Sequence, residues 1–567
     1  MTPYPIEADD RTEELTFTRR TALALLGASG ATGIVSGSTN AETGDAETKE
    51  PERKWNQNVD AQGHDLRSLG SVQLENVHTA ARNADRVVWK DEEGVFHADG
   101  PHDEVAAGEE MLEVINVALE SLTDGRTSKE KVVIASPGTL GPFPDDEGIF
   151  ELEIPSYTIL DVPVTLRVED EGENLFFVRA RDAEHIDIPN FNLVGNPRYG
   201  LWLQSVDNVH LGDINIAFEN AGEVGLGVRI DEYGQSERRS SDVQIDSGYV
   251  ENSGHHAFET NGVDRFQAGT LIANDPANGG LNMNHTIDAT INSVVGFDPG
   301  HPSTYATVRL ANFCHNVSVG QVVSRGGAKG LMLITAHNAS FGEVNIEGST
   351  DSGIFATLST DVSISGGVIK NCRGEAIRIH GYPQETFPFN VPTEGITVSN
   401  VRIFDSRPEA ERTQTYAIRE SGETAFNNQF VDNDVRDGGT EEIISVASSS
   451  TAVVGNIGAG IASGTTTLSP GEDVAARVTE ISPREDVTLE LRAKPREAPD
   501  ARFSWDEYFE WDPEASAWEL VVEWRTDPGE AVTLDYIVDR PQANLGRRGY
   551  EGNWKEYAAD GTEDPHV

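Results

Sequence analysis

The 567-residue chain is poor in cysteine, lysine and methionine. Two cysteines, Cys314 and Cys372, exclude a disulfide scaffold and a multi-cysteine metal cluster. Lysine occurs 9 times against 34 arginines, and these 43 basic residues face 95 carboxylates, a formal net charge of −52. A field of that sign repels nucleic acid and anionic membrane surfaces, so neither is expected as a partner. The carboxylates run the whole length rather than forming one acidic tail. An acidic, lysine-poor surface reads as adaptation to high salt, where self-repulsion is screened. No apolar run reaches the ~18 residues that suggest a membrane span. There is no phosphate loop, dinucleotide fingerprint or His-Glu-x-x-His. Hydrophobic residues, 37% of the chain, suffice to bury a core.

Thr18-Arg19-Arg20-Thr21 precedes a short run of small and apolar residues from Ala22 to Val35, with Leu23, Leu25 and Leu26 after the pair. This resembles a twin-arginine export signal and implies delivery to the cell surface or beyond. An uncleaved anchor is the other reading of the same run. The chain divides into that signal (1–40), an acidic linker (41–53), a cap and lead-in (54–168), a repeat region (169–462) and a small C-terminal β domain with its tail (463–567).

In the lead-in, Leu112, Ile115, Leu119 and Leu122 recur at three- and four-residue steps, which predicts a helix over Glu104 to Leu122. Val132-Val133-Ile134 reads as a strand, Ser136-Pro137-Gly138-Thr139 as a turn, and Ile154 to Leu160 as a further apolar run. A helix placed here covers the apolar end that a solenoid's first coil exposes. An unrelated small α/β domain is the alternative.

From Phe176 to about Ile457 a tetrad with apolar second and fourth positions recurs. It reads Asn208-Val209-His210-Leu211, Asp242-Val243-Gln244-Ile245, Asn316-Val317-Ser318-Val319 and Asp361-Val362-Ser363-Ile364, with weaker copies beginning at Asp264, Asp288, Asn338, Asn427 and Thr451. Most steps are of about 22–24 residues; the longer ones fit the same unit with a loop inserted. A second landmark appears as Gly200-Leu201-Trp202-Leu203, Gly280-Leu281-Asn282-Met283 and Gly330-Leu331-Met332-Leu333, and a third as Gly320-Gln321-Val322-Val323. Three short alternating strands per repeat cannot bury their apolar sides alone, whereas stacked coils can. The fold expected is all-β, a right-handed parallel β-helix of about eleven coils with three strands each, an α/β cap and a small antiparallel C-terminal domain. At ~4.8 Å per coil the rod is about 50 Å long.

The span from Val105 to Ile457 resembles right-handed parallel β-helix proteins of the pectin-lyase-like superfamily. That resemblance implies a carbohydrate-active protein, since the superfamily includes polysaccharide lyases, glycoside hydrolases, uronate epimerases, tailspikes and adhesins. It fixes no single activity. Past Ala459, alternating runs such as Leu520-Val521-Val522-Glu523-Trp524 suggest the antiparallel domain. Its four tryptophans, Trp505, Trp511, Trp518 and Trp524, read as that domain's core in preference to a sugar-binding platform.

Chemistry on a β-helix sits on outward strand positions, because inward ones are core. At the second landmark Arg229, Arg309, Arg378 and Arg419 lie between apolar neighbours, so alternation turns them outward. The matching positions hold Trp202, Glu259 and Asn282, with Asp231, Asn284 and His380 two residues further on. Such a stripe suits a sugar groove, with arginine forks fitting uronate carboxylates; an ordinary solvated face has the same composition. Asp231, Glu259 and Arg309 are the catalytic candidates. Trp202, Arg229, Asn282, Asn284 and His285 are the substrate-binding candidates. Asp231 and Glu259 on consecutive coils, roughly 5 Å apart, fit a retaining glycosidase pair or, with Glu232 or Asn284, a Ca²⁺ site. Adjacent His255 and His256 read as structural. The function expected is an exported polysaccharide lyase or hydrolase acting on uronate-containing polysaccharide, or else a non-enzymatic, adhesin-like glycan binder.

Two expectations are testable at this level. Screening extends over ~3 Å at 1 M salt and ~30 Å at 0.01 M, so dialysis to low salt is expected to unfold or precipitate the protein. A melting temperature equal in the two buffers refutes the salt-adapted reading. Exchange of Arg19 and Arg20 for lysine is expected to keep the protein inside the cell, and its normal appearance outside refutes the export signal.

Overall fold

The computed structural model describes residues 84–541 apart from 144–148, 170–174, 220–224, 233–237, 301–304, 384–385, 387–390, 483–486 and 498–501. The twin-arginine segment with Arg19 and Arg20 and the acidic linker lie outside the described residues.

The repeat region is a parallel β-helix of about eleven turns. One face is a ladder of twelve short strands, from Ile149–Glu153 through Tyr199–Gln204, Leu226–Asp231, Phe258–Asn261, Leu281–Asn284 and Ala306–Ala311 to Ile444–Ser445. Its inward residues stack in one column, Leu201, Val228, Phe258, Leu281, Val308, Leu331, Ile354, Ile377 and Ile418. All belong to one continuous core.

The tetrad and the third landmark run together through most coils as a single strand of 11 or 12 residues, such as Asp207–Phe218 and His315–Arg325. They separate only later, as in Thr360–Ser365 and Gly367–Lys370. The long strands bend where backbones crowd: a Cβ at Gly269 would lie 2.1 Å from the Asp246 carbonyl oxygen, and one at Gly342 2.4 Å from that of Gly320. The tetrad's leading Asn or Asp has a backbone cause. Asn208, Asp242, Asp288, Asn316, Asn338, Asp361 and Asn427 all sit at φ between 52° and 58–59°, the left-handed region those side chains tolerate best after glycine. Two weak copies fall one residue out of register. Val243 pairs with Phe266, so that coil's left-handed residue is Arg265 rather than Asp264. Phe430 pairs with Val453, which makes Val453, and not Ala452, the inward residue.

At the cap the helix spans Met111–Glu120, shorter than expected. Glu104–Gly108 instead pairs antiparallel with Phe96–Asp99, which in turn pairs with Arg86–Lys90. Sheet pairing overrides helix propensity there. Met111, Val114, Ile115, Ala118 and Leu119 bury the helix against the first coils. No helix among the described residues is long and apolar enough to cross a membrane.

At the other end, six strands between Ala462 and Asp539 form two three-stranded antiparallel sheets around Leu468, Leu520, Val522, Leu534 and Val538. Trp505, Trp518 and Trp524 pack on that core, and Trp524 Nε1 donates to the Ser469 carbonyl at 2.7 Å. Trp511 meets Trp518 edge-on at 5.7 Å. The backbones of Arg540 and Val453 exchange hydrogen bonds at 2.8 and 2.9 Å. Arg540 Nε donates to the Thr451 carbonyl at 2.9 Å. A single antiparallel bridge thus joins Arg540 to Val453 in the last coil. Cys314 and Cys372 are both buried and unbonded to each other.

Candidate functional site

The twelve-strand face stacks Trp202, Arg229, Glu259, Asn282, Arg309 and Met332 directly above one another, with Phe355, Arg378 and Arg419 continuing the column. Asp231, Asn261 and Asn284 form the next column. The alternation therefore turns these side chains away from the rod's core, as the sequence suggests. Burial is where the structure departs from expectation. Arg309 is 1% exposed, Asp231 0% and Glu259 7%, so this is a covered polar network and not an open solvated stripe.

Arg229 is the hub. Its Nε donates to Asp231 Oδ2 at 2.7 Å, and its Nη1 lies 3.4 Å from Glu259 Oε2. Asp231 Oδ2 also accepts from Trp202 Nε1 at 2.8 Å. Asp231 pairs with Asn261, not Glu259, so the two carboxylates sit diagonally across adjacent strands, with a guanidinium hydrogen-bonded to Asp231 and ion-paired with Glu259. The expected side-by-side dyad is thereby corrected, and Asp231 becomes a support for Trp202 and Arg229. A cation between these carboxylates would compete with Arg229. Among the described residues no three His, Cys, Asp or Glu side chains are arranged to hold a metal ion.

Glu259 is held from the next coils. Its Oε1 accepts from Asn282 Nδ2 at 3.2 Å and Asn284 Nδ2 at 3.3 Å. Arg309 Nη1 donates to the Oδ1 atoms of the same two amides at 2.9 and 3.2 Å. Arg309 thus orients Asn282 and Asn284, and its burial takes it out of reach of a substrate carboxylate. Glu259 Oε2 is buried and has no hydrogen-bond partner. Burial pushes the Glu259 carboxyl above the usual range; Arg229 opposes this and Asp231 adds to it. For Arg229, burial works against the charge, but Glu259 and Asp231 more than offset it and raise its pKa.

Two histidines flank the network. His256 is buried, accepts the Gly279 N–H at Nδ1 (2.9 Å) and meets Tyr305 edge-on at 4.7 Å. Burial, then His255, Arg309 and Arg229, hold it well below the usual imidazole value. His255 is half-buried, its Nδ1 has no hydrogen-bond partner, and burial followed by Arg229 and Arg198 lowers its pKa. Both rings are therefore neutral at neutral pH. His285 lies in a separate cluster, where Arg239 Nη1 meets its Nε2 at 3.0 Å and Glu232 Oε1 stands 3.7 Å from its Nδ1.

A rim of aromatic rings completes the site. Tyr199 contacts Trp202 edge-on at 4.7 Å, and Arg229 lies over the Tyr199 ring at 5.8 Å. Arg309 lies over Tyr305 at 5.3 Å. Tyr199 and Tyr305 were not expected from the sequence. The available signal is that each directly precedes or opens a second-landmark strand.

No protein-family model and no curated protein matches the sequence. Among solved structures, the A-module of mannuronan C-5 epimerase AlgE6 from Azotobacter vinelandii aligns at 12% identity over 61% of this chain and 95% of its own, with a TM-score of 0.47. The AlgE4 A-module from the same organism aligns at 13% identity over 61% and 96%, with a TM-score of 0.45. A mutant of the tailspike protein of E. coli bacteriophage HK620, in complex with a pentasaccharide, aligns at 9% identity over 76% and 90%, with a TM-score of 0.39. These likenesses assign no residue here a role.

The buried network changes what substitution at 309 should do. Arg309→Ala removes a donor from both the Asn282 and Asn284 amide oxygens, of which only the second keeps another, Asn312 Nδ2 at 3.4 Å, and is expected to cost roughly 2–4 kcal/mol of unfolding free energy. Arg419, whose side chain is 42% exposed and paired with Glu375, is expected to cost under about 1 kcal/mol on the same change. Denaturant titrations in molar salt measure both, and equal midpoints would remove Arg309 from the network.

Proposed function

We propose that the twelve-strand face around Glu259 binds a polysaccharide and cleaves it. The observation that supports this is a set of charged and titratable groups buried beneath aromatic rings on the outer side of a solenoid sheet. The fold itself does not require them there. Burying such groups is costly, and perturbed titration clusters at functional sites.

The roles follow from protonation. Glu259, whose carboxyl burial pushes upward, is assigned as the proton donor. His255 is neutral and is the base. Arg229, 21% exposed at its side chain, is the one arginine of the network positioned to meet a substrate carboxylate. Together these suit β-elimination beside a uronate. The His255 imidazole takes the proton from the carbon next to the carboxylate, and that electron pair becomes a C=C bond. The C–O bond to the leaving sugar breaks, and the Glu259 proton goes to the departing oxygen. No water is consumed. Asp231, Asn282, Asn284 and Arg309 are positioning residues, and Trp202 and Tyr199 supply the stacking surface. Glycan binding without turnover is the second reading, favoured by the 7% exposure of Glu259. We propose further that the protein is exported by the twin-arginine route and works in high salt.

Purified protein in molar salt, screened against acidic and neutral polysaccharides, is expected to generate ultraviolet absorbance from an unsaturated product. Glu259→Gln is expected to lower turnover about 10²–10⁴-fold. Activity should fall as pH rises and Glu259 loses its proton, and fall again at acid pH as His255 gains one. New reducing ends without absorbance would mean hydrolysis; binding with neither would mean the non-catalytic reading.

A further inference from the structure

The twelve-strand face carries a second polar cluster, five coils beyond Glu259. Register places Asn282, Arg309, Met332, Phe355 and Arg378 in turn after that residue. At ~4.8 Å per coil the separation is about 24 Å. Buried Met332 and Ile334 lie between, so an apolar patch divides the two clusters. Arg378 and Arg419 stand directly over one another on consecutive coils. Like charges so placed repel. Arg419 is relieved by Glu375 at 3.0 Å, but Arg378 is not. Among the described residues no carboxylate pairs with Arg378 and no acceptor takes a hydrogen bond from its guanidinium, in a chain with 95 carboxylates. It is half-buried, and its guanidinium lies over the Phe355 ring at 5.5 Å, which restricts the orientation of the fork. His380, two residues on, is half-buried, meets Tyr382 edge-on at 4.5 Å and shares a hydrogen bond with Ser421 Oγ at 2.9 Å. Burial, then Arg378 and Arg419, lower its pKa, so the ring is neutral at neutral pH. Thr357, in register with His380 on the preceding coil, is fully buried, and its Oγ1 has no hydrogen-bond partner. A buried hydroxyl left unsatisfied destabilises the fold, and this one stands on the outward side of the sheet, one column from Arg378.

We propose that Arg378, with Thr357 and His380, forms a second anchoring site that takes a uronate carboxylate of the polysaccharide, away from the point of cleavage. The choice of a uronate rests on the substrate proposed above, whereas binding here needs no turnover. The guanidinium fork matches the two oxygens of a carboxylate. The incoming anion supplies the negative charge that Arg378 lacks and relieves its repulsion from Arg419. Thr357 and His380 offer hydrogen bonds to the carboxylate or to the sugar that bears it. Holding one long chain at two separated points raises its affinity, because the second contact forms within an already bound molecule.

The test is calorimetric titration of the full-length protein in molar salt with decamers of galacturonate, mannuronate and glucuronate. A Glu259→Gln background keeps the probe intact if the parent chain turns it over. The expected result is that at least one decamer binds and that Arg378→Ala weakens it at least tenfold. Arg378→Lys should fall between, since a point charge cannot form the fork. The methyl-esterified form of the same decamer, which carries no charge, should bind the parent and Arg378→Ala alike. Arg378 has no partner to lose, so its variants should keep their melting temperature. Thr357→Val, close in shape, should weaken binding several-fold while leaving the melting temperature unchanged or higher, because it removes an unsatisfied hydroxyl. Failure of all three acidic probes to bind, or binding by Arg378→Ala within twofold of the parent, overturns the proposal. So does a sulfated neutral decamer that binds as tightly as every uronate and loses as much on Arg378→Ala; the site would then serve sulfate esters. Absence of any unsaturated product together with an intact Arg378 effect counts against cleavage at Glu259 and supports this site.

Discussion

In-register stacking of parallel coils is the constraint on which the rest of this molecule depends. Each coil's inward residue must lie over the one before it, because a slip of one place turns the apolar set to water. That requirement explains the column running from Leu201 to Ile418. It also explains the left-handed Asn and Asp residues that restart each long strand and the glycines that let strand bends nest. The same register fixes every outward position. Trp202, Arg229, Glu259, Asn282 and Arg309 come from sites spread over 108 residues of sequence, and stacking alone brings them into one line.

Within that line, charge is satisfied sideways. Arg229 serves two carboxylates, and Arg309 serves two amides that in turn serve one of those carboxylates. Preorganisation of this kind holds a reactive group without asking it to move. Glu259 Oε2 and His255 Nδ1 are buried without hydrogen-bond partners at the edge of this bonded cluster.

The β-helix was legible because its signals are periodic. Tetrads beginning at Asn208, Asp242 and Asn316 advertise both the inward alternation and the left-handed turn. Where a coil used Arg265 at the turn or Thr451 ahead of Val453, the local pattern pointed one residue away, and only pairing with neighbouring coils corrects it. The arginine stripe was legible for the same reason; the pairing of Arg229 with Asp231 and Glu259 was not. Burial was not. Whether an outward residue meets water depends on what other segments lay over it, and alternation carries no information about that; hence Arg309 was expected on an open groove and is enclosed. The helix start was misplaced because Glu104–Gly108 has helical composition but finds a strand partner in Phe96–Asp99. Asp231 and Glu259 were correctly put on adjacent coils, yet their diagonal offset follows from a two-residue difference that Arg229 occupies.

The seal at Arg540 bears on the order of synthesis. The bridge partner of Val453 in the last coil, Arg540, comes from more than 80 residues further along the chain. A ribosome adds residues at about 5–20 per second, so Arg540 is polymerised roughly 4–17 s after Val453. During that interval its terminal edge is an open template for any other strand. Two rods in that state on neighbouring ribosomes can join end to end, and the −52 charge that opposes such contact weakens as salt rises. The hazard belongs to the chain during its synthesis and not to its finished form, in which Arg540 stands paired beside Val453.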